Sequence, residues 1–238
     1  MLRTEPLHPL FAGRVLGVHL GRGPVPEAEM GAIREAFDRL SVLVFPDQAG
    51  LDDAAQVAFS RRLGPLEATR AGANGAGSPL IRMTNIGPDG AIAPPTDRQV
   101  LNNLANRAWH HDSSFKPVPA RASLLSAREV PGAGGDTEFA SCRAAWAALP
   151  GDLRRRVRGP VAVHDFGWSR ARVSPDLVTE EERAAWPPVG QAVVLEEGRH
   201  GASLYLGAHA RAVEGMAEAE GRALIEALMA FATQERFV

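Results

Sequence analysis

The 238-residue sequence contains one cysteine, Cys142, and so cannot form an intrachain disulfide. This fits a reducing compartment, although one cysteine excludes little. Lysine is nearly absent too: Lys116 is the only one, and every other basic side chain is arginine, which points to no function. Long hydrophobic runs are missing. No apolar stretch reaches the ~20 residues needed to cross a bilayer. Residues 1–6, MLRTEP, lack the apolar region of a secretion signal. The expectation is a cytoplasmic protein with no membrane partner. Nor is there an excess of one charge. The 26 basic and 28 acidic residues leave a net charge of −2, so no bulk field attracts nucleic acid.

What remains is ordinary globular material, 45% hydrophobic and 23% charged. The length suits one large domain. No repeat or interdomain linker divides it, so a single domain over residues 1–238 is expected. Met30, Ile33, Phe37 and Leu40 recur at helical spacing and predict a helix with one apolar stripe. Residues 42–45 read as a short buried strand, and Asp52 as the N-cap of a second helix. Residues 80–85 and 122–127 read as strands, 86–100 as a long loop, and 170–190 as a polar insertion. Ser141 is placed to cap a short helix. Residues 191–195 and 203–206 flank a hairpin turn. A final helix starts near Met216, with Leu224, Ile225, Leu228 and Phe231 inward. The glycine-rich stretch 71–79 has no strand–helix context and reads as a loop rather than a dinucleotide fingerprint. Many short strands with Gly/Pro turns and few flanking helices indicate a layered antiparallel sheet.

The segment Trp109-His110-His111-Asp112-Ser113-Ser114-Phe115 carries the chemistry. In an extended strand, residues two apart share a face, so His110 and Asp112 project together and His111 points away. A histidine and a carboxylate converging on one point are two corners of the 2-His-1-carboxylate set that suits Fe(II) and oxygen chemistry. The third corner would be a histidine far downstream. On its own, H-x-D is more often a solvated strand or turn than a metal site, and a cupin-type metal site would match it as well.

The context is more specific. W-H-x-D-x-S-F is followed by P-A-R-x-S-x-L-S-A (119–127) and P-x-x-G-G-D-T-E-F (131–139). Together with Leu7-His8-Pro9-Leu10-Phe11, residues 42–45, Leu63-Gly64-Pro65-Leu66-Glu67 and Gly207-Ala208-His209-Ala210, these motifs resemble the Fe(II)/2-oxoglutarate-dependent dioxygenases of the taurine dioxygenase / 2,4-dichlorophenoxyacetate dioxygenase family. The likeness is closer to the dichlorophenoxyacetate branch. It implies an α+β fold, mainly β in its core: a double-stranded β-helix, or jelly roll, with flanking helices. It implies His110 and Asp112 as iron ligands and Thr137 as a hydroxyl for the distal carboxylate of 2-oxoglutarate. It implies Asn106 facing substrate and Phe166 walling the substrate pocket. Read without the resemblance, Thr137 is equally a turn residue, Asn106 a loop residue and Phe166 a core residue. Arg70 reads first as a solvated surface arginine and, alternatively, as a substrate-carboxylate partner.

The resemblance also implies a reaction. 2-Oxoglutarate and O₂ give succinate and CO₂ while a small carboxylate or sulfonate is hydroxylated. An aryloxyacetate would yield a hemiacetal that collapses to a phenol and glyoxylate; a taurine-like sulfonate would release sulfite. A homo-oligomer is compatible with this reading. In the family, the distal histidine ligand and an arginine for 2-oxoglutarate follow the last helix. None of His8, His19, His164, His200 or His209 stands in that context. The expectation is a C-terminally incomplete member lacking its last core strands, with an inactive binding domain as the alternative.

Overall fold

The protein is described by a computed structural model covering residues 3–67, 79–196 and 199–238. The N-terminal part opens with β1 (Arg3–Pro6) and β2 (Gly13–Leu16), paired antiparallel. Helix α1 (Glu27–Leu40) follows Pro26 and carries Glu27 and Glu29 in its first turn and Arg39 in its last. Those charges complement the helix dipole. Ser41, at φ 64°, ends it. The chain then forms β3 (Leu43–Val44), which lies parallel to β2. Helix α2 (Asp53–Arg61) begins where Asp52 accepts the Ala55 amide at 2.7 Å, the cap expected from the sequence. Val15, Val18, Met30, Ile33, Leu51 and Phe59 form one buried cluster here. Two expectations shift. Strand β3 spans two residues and is not buried. Phe37 is half-buried because Ala36 takes the inward position.

The larger core lies toward the C-terminus. Helix α3 (Arg98–Ala105) is capped by Asp97. Helices α4 (Cys142–Ala148) and α5 (Gly151–Val157) follow, and Ser141 caps α4 as expected. Next come β4 (Val161–His164), α6 (Phe166–Ala171) and α7 (Glu180–Ala185). Strands β5 (Val189–Ala192) and β8 (Ala210–Val213) flank β4 in a three-stranded antiparallel sheet. Strands β6 (Val194–Leu195) and β7 (Ser203–Leu204) form the expected hairpin. Helix α8 (Glu218–Ala232) and a 3-10 turn (Glu235–Phe237) close the chain. Val157, Ala162, Val193, Leu204, Leu228 and Phe237 are essentially solvent-free at the centre of this core.

The fold class is therefore α+β, with three small sheets rather than one continuous layered sheet among the described residues. The strands expected at 80–85 and 122–127 are not formed. Ile81, Met83 and Leu125 are exposed, and no neighbouring strand offers these segments a ladder. Segment 122–128 is held instead by side chains: Gln56 donates to the Leu124 carbonyl, and the Arg128 guanidinium binds the Leu51 carbonyl, Asp53 and Gln56. The loop expected over 86–100 contains a bridge between Ile86 and Ile92, then the start of α3. The polar stretch 170–190 hides α7. Its Thr179–Glu182 capping box was visible in the sequence as T-x-x-E. Arg70 and most of 71–79 lie outside the described residues.

Met30→Ala and Leu228→Ala remove fully buried side chains from the two clusters. Each is expected to cost about 2–5 kcal/mol. Leu104→Ala, on a side chain 44% exposed, is expected to stay within about 0.5 kcal/mol. Denaturant unfolding measures all three.

Candidate active site

The His110–Asp112 pair is assembled by a close backbone contact. The connection after β7, residues 205–209, runs beside residues 109–111. The Ala208 amide donates to the Trp109 carbonyl at 2.8 Å. His111 Nδ1 donates to the Leu206 carbonyl at 2.8 Å, and its ring lies against Tyr205 at 4.7 Å. A Cβ on Gly207 would stand 2.8 Å from His110 Cα, so only glycine permits this approach. His111 is thereby turned onto the chain that follows β7, rather than outward as the strand reading implied.

No strand forms at the motif. Residues after His111 enter a turn, with Ser113 at φ 58°. The turn, not strand periodicity, brings His110 Nε2 within 3.2 Å of Asp112 Oδ1. It is pinned from three sides. Gln191 on β5 donates to the carbonyls of Ser114 and Lys116. Glu67 accepts from the Ser113 hydroxyl and pairs with Lys116 at 3.1 Å. Buried Ser114 meets Nδ1 of His164 at 2.9 Å.

His110 Nδ1 faces the Ala108 carbonyl at 2.7 Å and must donate to it. In a neutral ring Nε2 then carries a lone pair aimed at a carboxylate oxygen. Two acceptors 3.2 Å apart require a cation between them, either a proton or a metal ion. The Asp112 carboxyl is held down at about 2, chiefly by His110 and further by the Ser123 hydroxyl, which donates to Oδ2 at 2.5 Å. The same contact raises the His110 pKa. One nitrogen and one carboxylate donor suit a divalent iron as part of its ligand set. Among the described residues no group of three His, Cys, Asp or Glu side chains gathers as a metal cluster.

His209 stands nearest to completing the surroundings, its ring centre 6.1 Å from that of His110. Ser169 Oγ donates to the Phe166 carbonyl at 2.8 Å, so its oxygen accepts from His209 Nδ1 at 2.8 Å. His209 Nε2 therefore bears the lone pair. Burial, followed by the Arg170 charge, pushes the His209 pKa down to about 3. His164, solvent-free and stacked on Tyr205, is pushed down to about 4 by burial.

Phe166 begins α6, whose N-cap Asp165 accepts the Trp168 amide and pairs with Arg211 at 2.8 Å. The Phe166 ring meets Phe115 at 4.7 Å, Trp186 at 4.9 Å and His209 at 6.2 Å. Phe115, Phe166 and Trp186 are each half-buried. They form an aromatic wall beside His209. Asn106 is the C-cap of α3, half-buried, with its backbone N–H donating to the Asn102 and Leu104 carbonyls. Thr137 lies on the exposed segment 131–139, and no hydrogen bond of its hydroxyl is seen among the described residues. Sequence reasoning did not single out Ser123, Trp186 or Arg170, and it named His209 only as one of several stand-ins for the third ligand. Signals existed for three of them: Ser123 lies in the P-A-R-x-S motif, His209 in Gly207-Ala208-His209-Ala210, and Arg170 stands at i+4 from Phe166 on a helix.

The profile of the taurine catabolism dioxygenase TauD, TfdA family matches residues 3–238. The chain belongs to this family. The α-ketoglutarate-dependent 2,4-dichlorophenoxyacetate dioxygenase of Cupriavidus pinatubonensis is 42% identical to it, over 99% of this chain and 83% of that protein. The (S)-phenoxypropionate/α-ketoglutarate-dioxygenase of Sphingobium herbicidovorans is 32% identical, over 96% and 78%. The crystal structure of AAD-2 in complex with Mn(II) and N-oxalylglycine superposes with a TM-score of 0.87 at 36% identity, covering all of this chain and 82% of that one. By membership the chain is a dioxygenase that uses iron and 2-oxoglutarate.

The neutral buried histidines set a pH dependence. Their folded pKa values lie below the ordinary 6.5. The unfolded chain therefore binds more protons between about pH 6.5 and 4, and stability falls as pH drops through that window. The slope approaches about 1.4 kcal/mol per pH unit per histidine. Unfolding free energies at pH 7, 6 and 5 measure it, and His164→Asn is expected to flatten the profile. Gly207→Ala is expected to weaken metal binding, because the backbone must part at His110; Mn(II) titration reads it.

Proposed function

We propose that this chain is an aryloxyalkanoate dioxygenase. It hydroxylates the carbon beside the ether oxygen of a small aromatic acid, and the hemiacetal collapses to a phenol and an oxo acid, glyoxylate from an aryloxyacetate. 2-Oxoglutarate is oxidised to succinate and CO₂ in the same turnover. The observation that carries this reading is the aromatic wall of Phe115, Phe166 and Trp186 set against His209 and the His110–Asp112 pair. The sequence likeness to 2,4-dichlorophenoxyacetate dioxygenases supports it. A small sulfonate would have no use for three rings. The jelly-roll architecture of the family is part of the same reading.

His110 Nε2 and Asp112 would hold the iron, which supplies activation of dioxygen when bound. The chain's own groups do the rest. The Ala108 carbonyl fixes the His110 tautomer. Ser123 orients the Asp112 carboxylate. The aromatic wall positions the aryl ring and keeps water from it. Thr137 offers its hydroxyl to the distal carboxylate of 2-oxoglutarate, and Asn106 faces substrate from the end of α3.

Supplied with Fe(II), 2-oxoglutarate and 2,4-dichlorophenoxyacetate, the chain is expected to release the phenol and succinate in equal amounts. Taurine is expected to yield no sulfite. Sulfite without phenol would reverse the assignment. Phe166→Ala is expected to raise KM for the aryloxy acid about tenfold, equivalent to about 1.4 kcal/mol of ring contact, with KM for 2-oxoglutarate unchanged.

A further inference from the structure

Arg170 is the anomalous charge of the molecule. Its residue surface is 9% exposed. Among the described residues it pairs with no carboxylate, and its buried Nε has no hydrogen-bond partner. Its one polar contact is long, Nη1 to the Asn102 carbonyl at 3.4 Å. Its guanidinium lies 5.0 Å from the centre of the Phe166 ring. Arginines on other faces show what satisfaction looks like here: Arg211 pairs with Asp165, and Arg98 binds Glu182 and the Leu177 carbonyl. A buried guanidinium without a counterion is expensive. Such a group persists where a ligand supplies the missing anion.

Its surroundings say which anion. Position 170 is one helical turn after Phe166, so the cation and the aromatic wall share one face of α6. The Phe166 ring it covers lies 6.2 Å from His209, and His209 lies 6.1 Å from His110, which sets the guanidinium beside the reaction centre. His209 offers no competing donor there, because its only N–H is committed to Ser169. We propose that Arg170 binds the carboxylate of the aryloxyalkanoate, while Phe115, Phe166 and Trp186 hold its ring. The inference rests on the function assigned above and adds the residue that recognises the acid group. The planar fork of arginine matches a carboxylate in two parallel hydrogen bonds.

Three probes test this on the full chain with Mn(II) in place of iron, without turnover: 2,4-dichlorophenoxyacetate, its neutral counterpart 2,4-dichlorophenoxyethanol, and 2-oxoglutarate. Isothermal titration gives each affinity for wild type, Arg170→Met and Arg170→Lys. Wild type is expected to prefer the acid over the alcohol. Arg170→Met is expected to bind the acid about 10- to 100-fold more weakly, as for loss of a charged hydrogen bond. It should keep wild-type affinity for the alcohol and for 2-oxoglutarate. Arg170→Lys is expected to recover part of the loss. Because the arginine is an uncompensated charge, Arg170→Met should melt at or above the wild-type temperature.

Other outcomes overturn the proposal. If 2-oxoglutarate affinity falls with or instead of the acid's, Arg170 serves the co-substrate. A Met variant that melts well below wild type makes the arginine structural. Equal affinity of wild type and Arg170→Met for the acid removes its role and leaves the aryloxyalkanoate function standing. If wild type binds neither aryloxy compound, that function itself fails, and the role of Arg170 fails with it.

Discussion

The contact between Gly207-Ala208 and Trp109-His110 is the constraint on which the site depends. It is a backbone-to-backbone approach, closed by one amide–carbonyl bond and by the absence of a Cβ at residue 207. The connection on one side leaves a hairpin in the larger core and leads into β8. The segment on the other side belongs to no strand. Holding them together makes the motif a rigid extension of that core rather than a loop on its surface. His209 follows from the same contact, two residues beyond Gly207, and so arrives next to His110.

Polar side chains then do the work that a strand ladder would otherwise do. Glu67, Gln191 and His164 fix the turn after His111 from different elements. Ser169 fixes the His209 ring, and Asp165 ties the start of α6 to β8. The bonds of Gln191, His164 and Ser169 lie between buried or half-buried groups, where the low dielectric makes a satisfied bond valuable and a broken one costly. The motif keeps its geometry because so many separate elements hold it.

This explains what was legible in the sequence. Helices announced themselves through caps and periodicity: Asp52, Ser141 and the spacing from Met30 are local signals, and the elements they start are present. The hairpin of β6 and β7 was legible for the same reason. The convergence of His110 and Asp112 was foreseen for the wrong cause, since a turn at Ser113 replaces the strand. The 80–85 and 122–127 segments have strand-like residues, but β propensity registers packing against neighbours, and among the described residues no strand pairs with them. His209, Ser123, Trp186 and Arg170 reach the centre through long-range packing. Local spacing records at most that Arg170 shares a helix face with Phe166, not that either reaches the centre.

Arg170 shows how such a centre holds strain in reserve. The aromatic face of Phe166 attracts its charge, a contact worth about 0.5–2 kcal/mol. That is small beside the desolvation of a buried ion. The anion that acts on it is Asp112, whose charge is already engaged by His110 and Ser123. The guanidinium is thus only partly compensated by the protein, and an acid bound there would complete it. A residue kept this way contributes less to stability than an apolar replacement would, and more to recognition than a solvated arginine could. The same logic adds to what burial does at His209: protonating it would put a second positive charge next to one that lacks a partner.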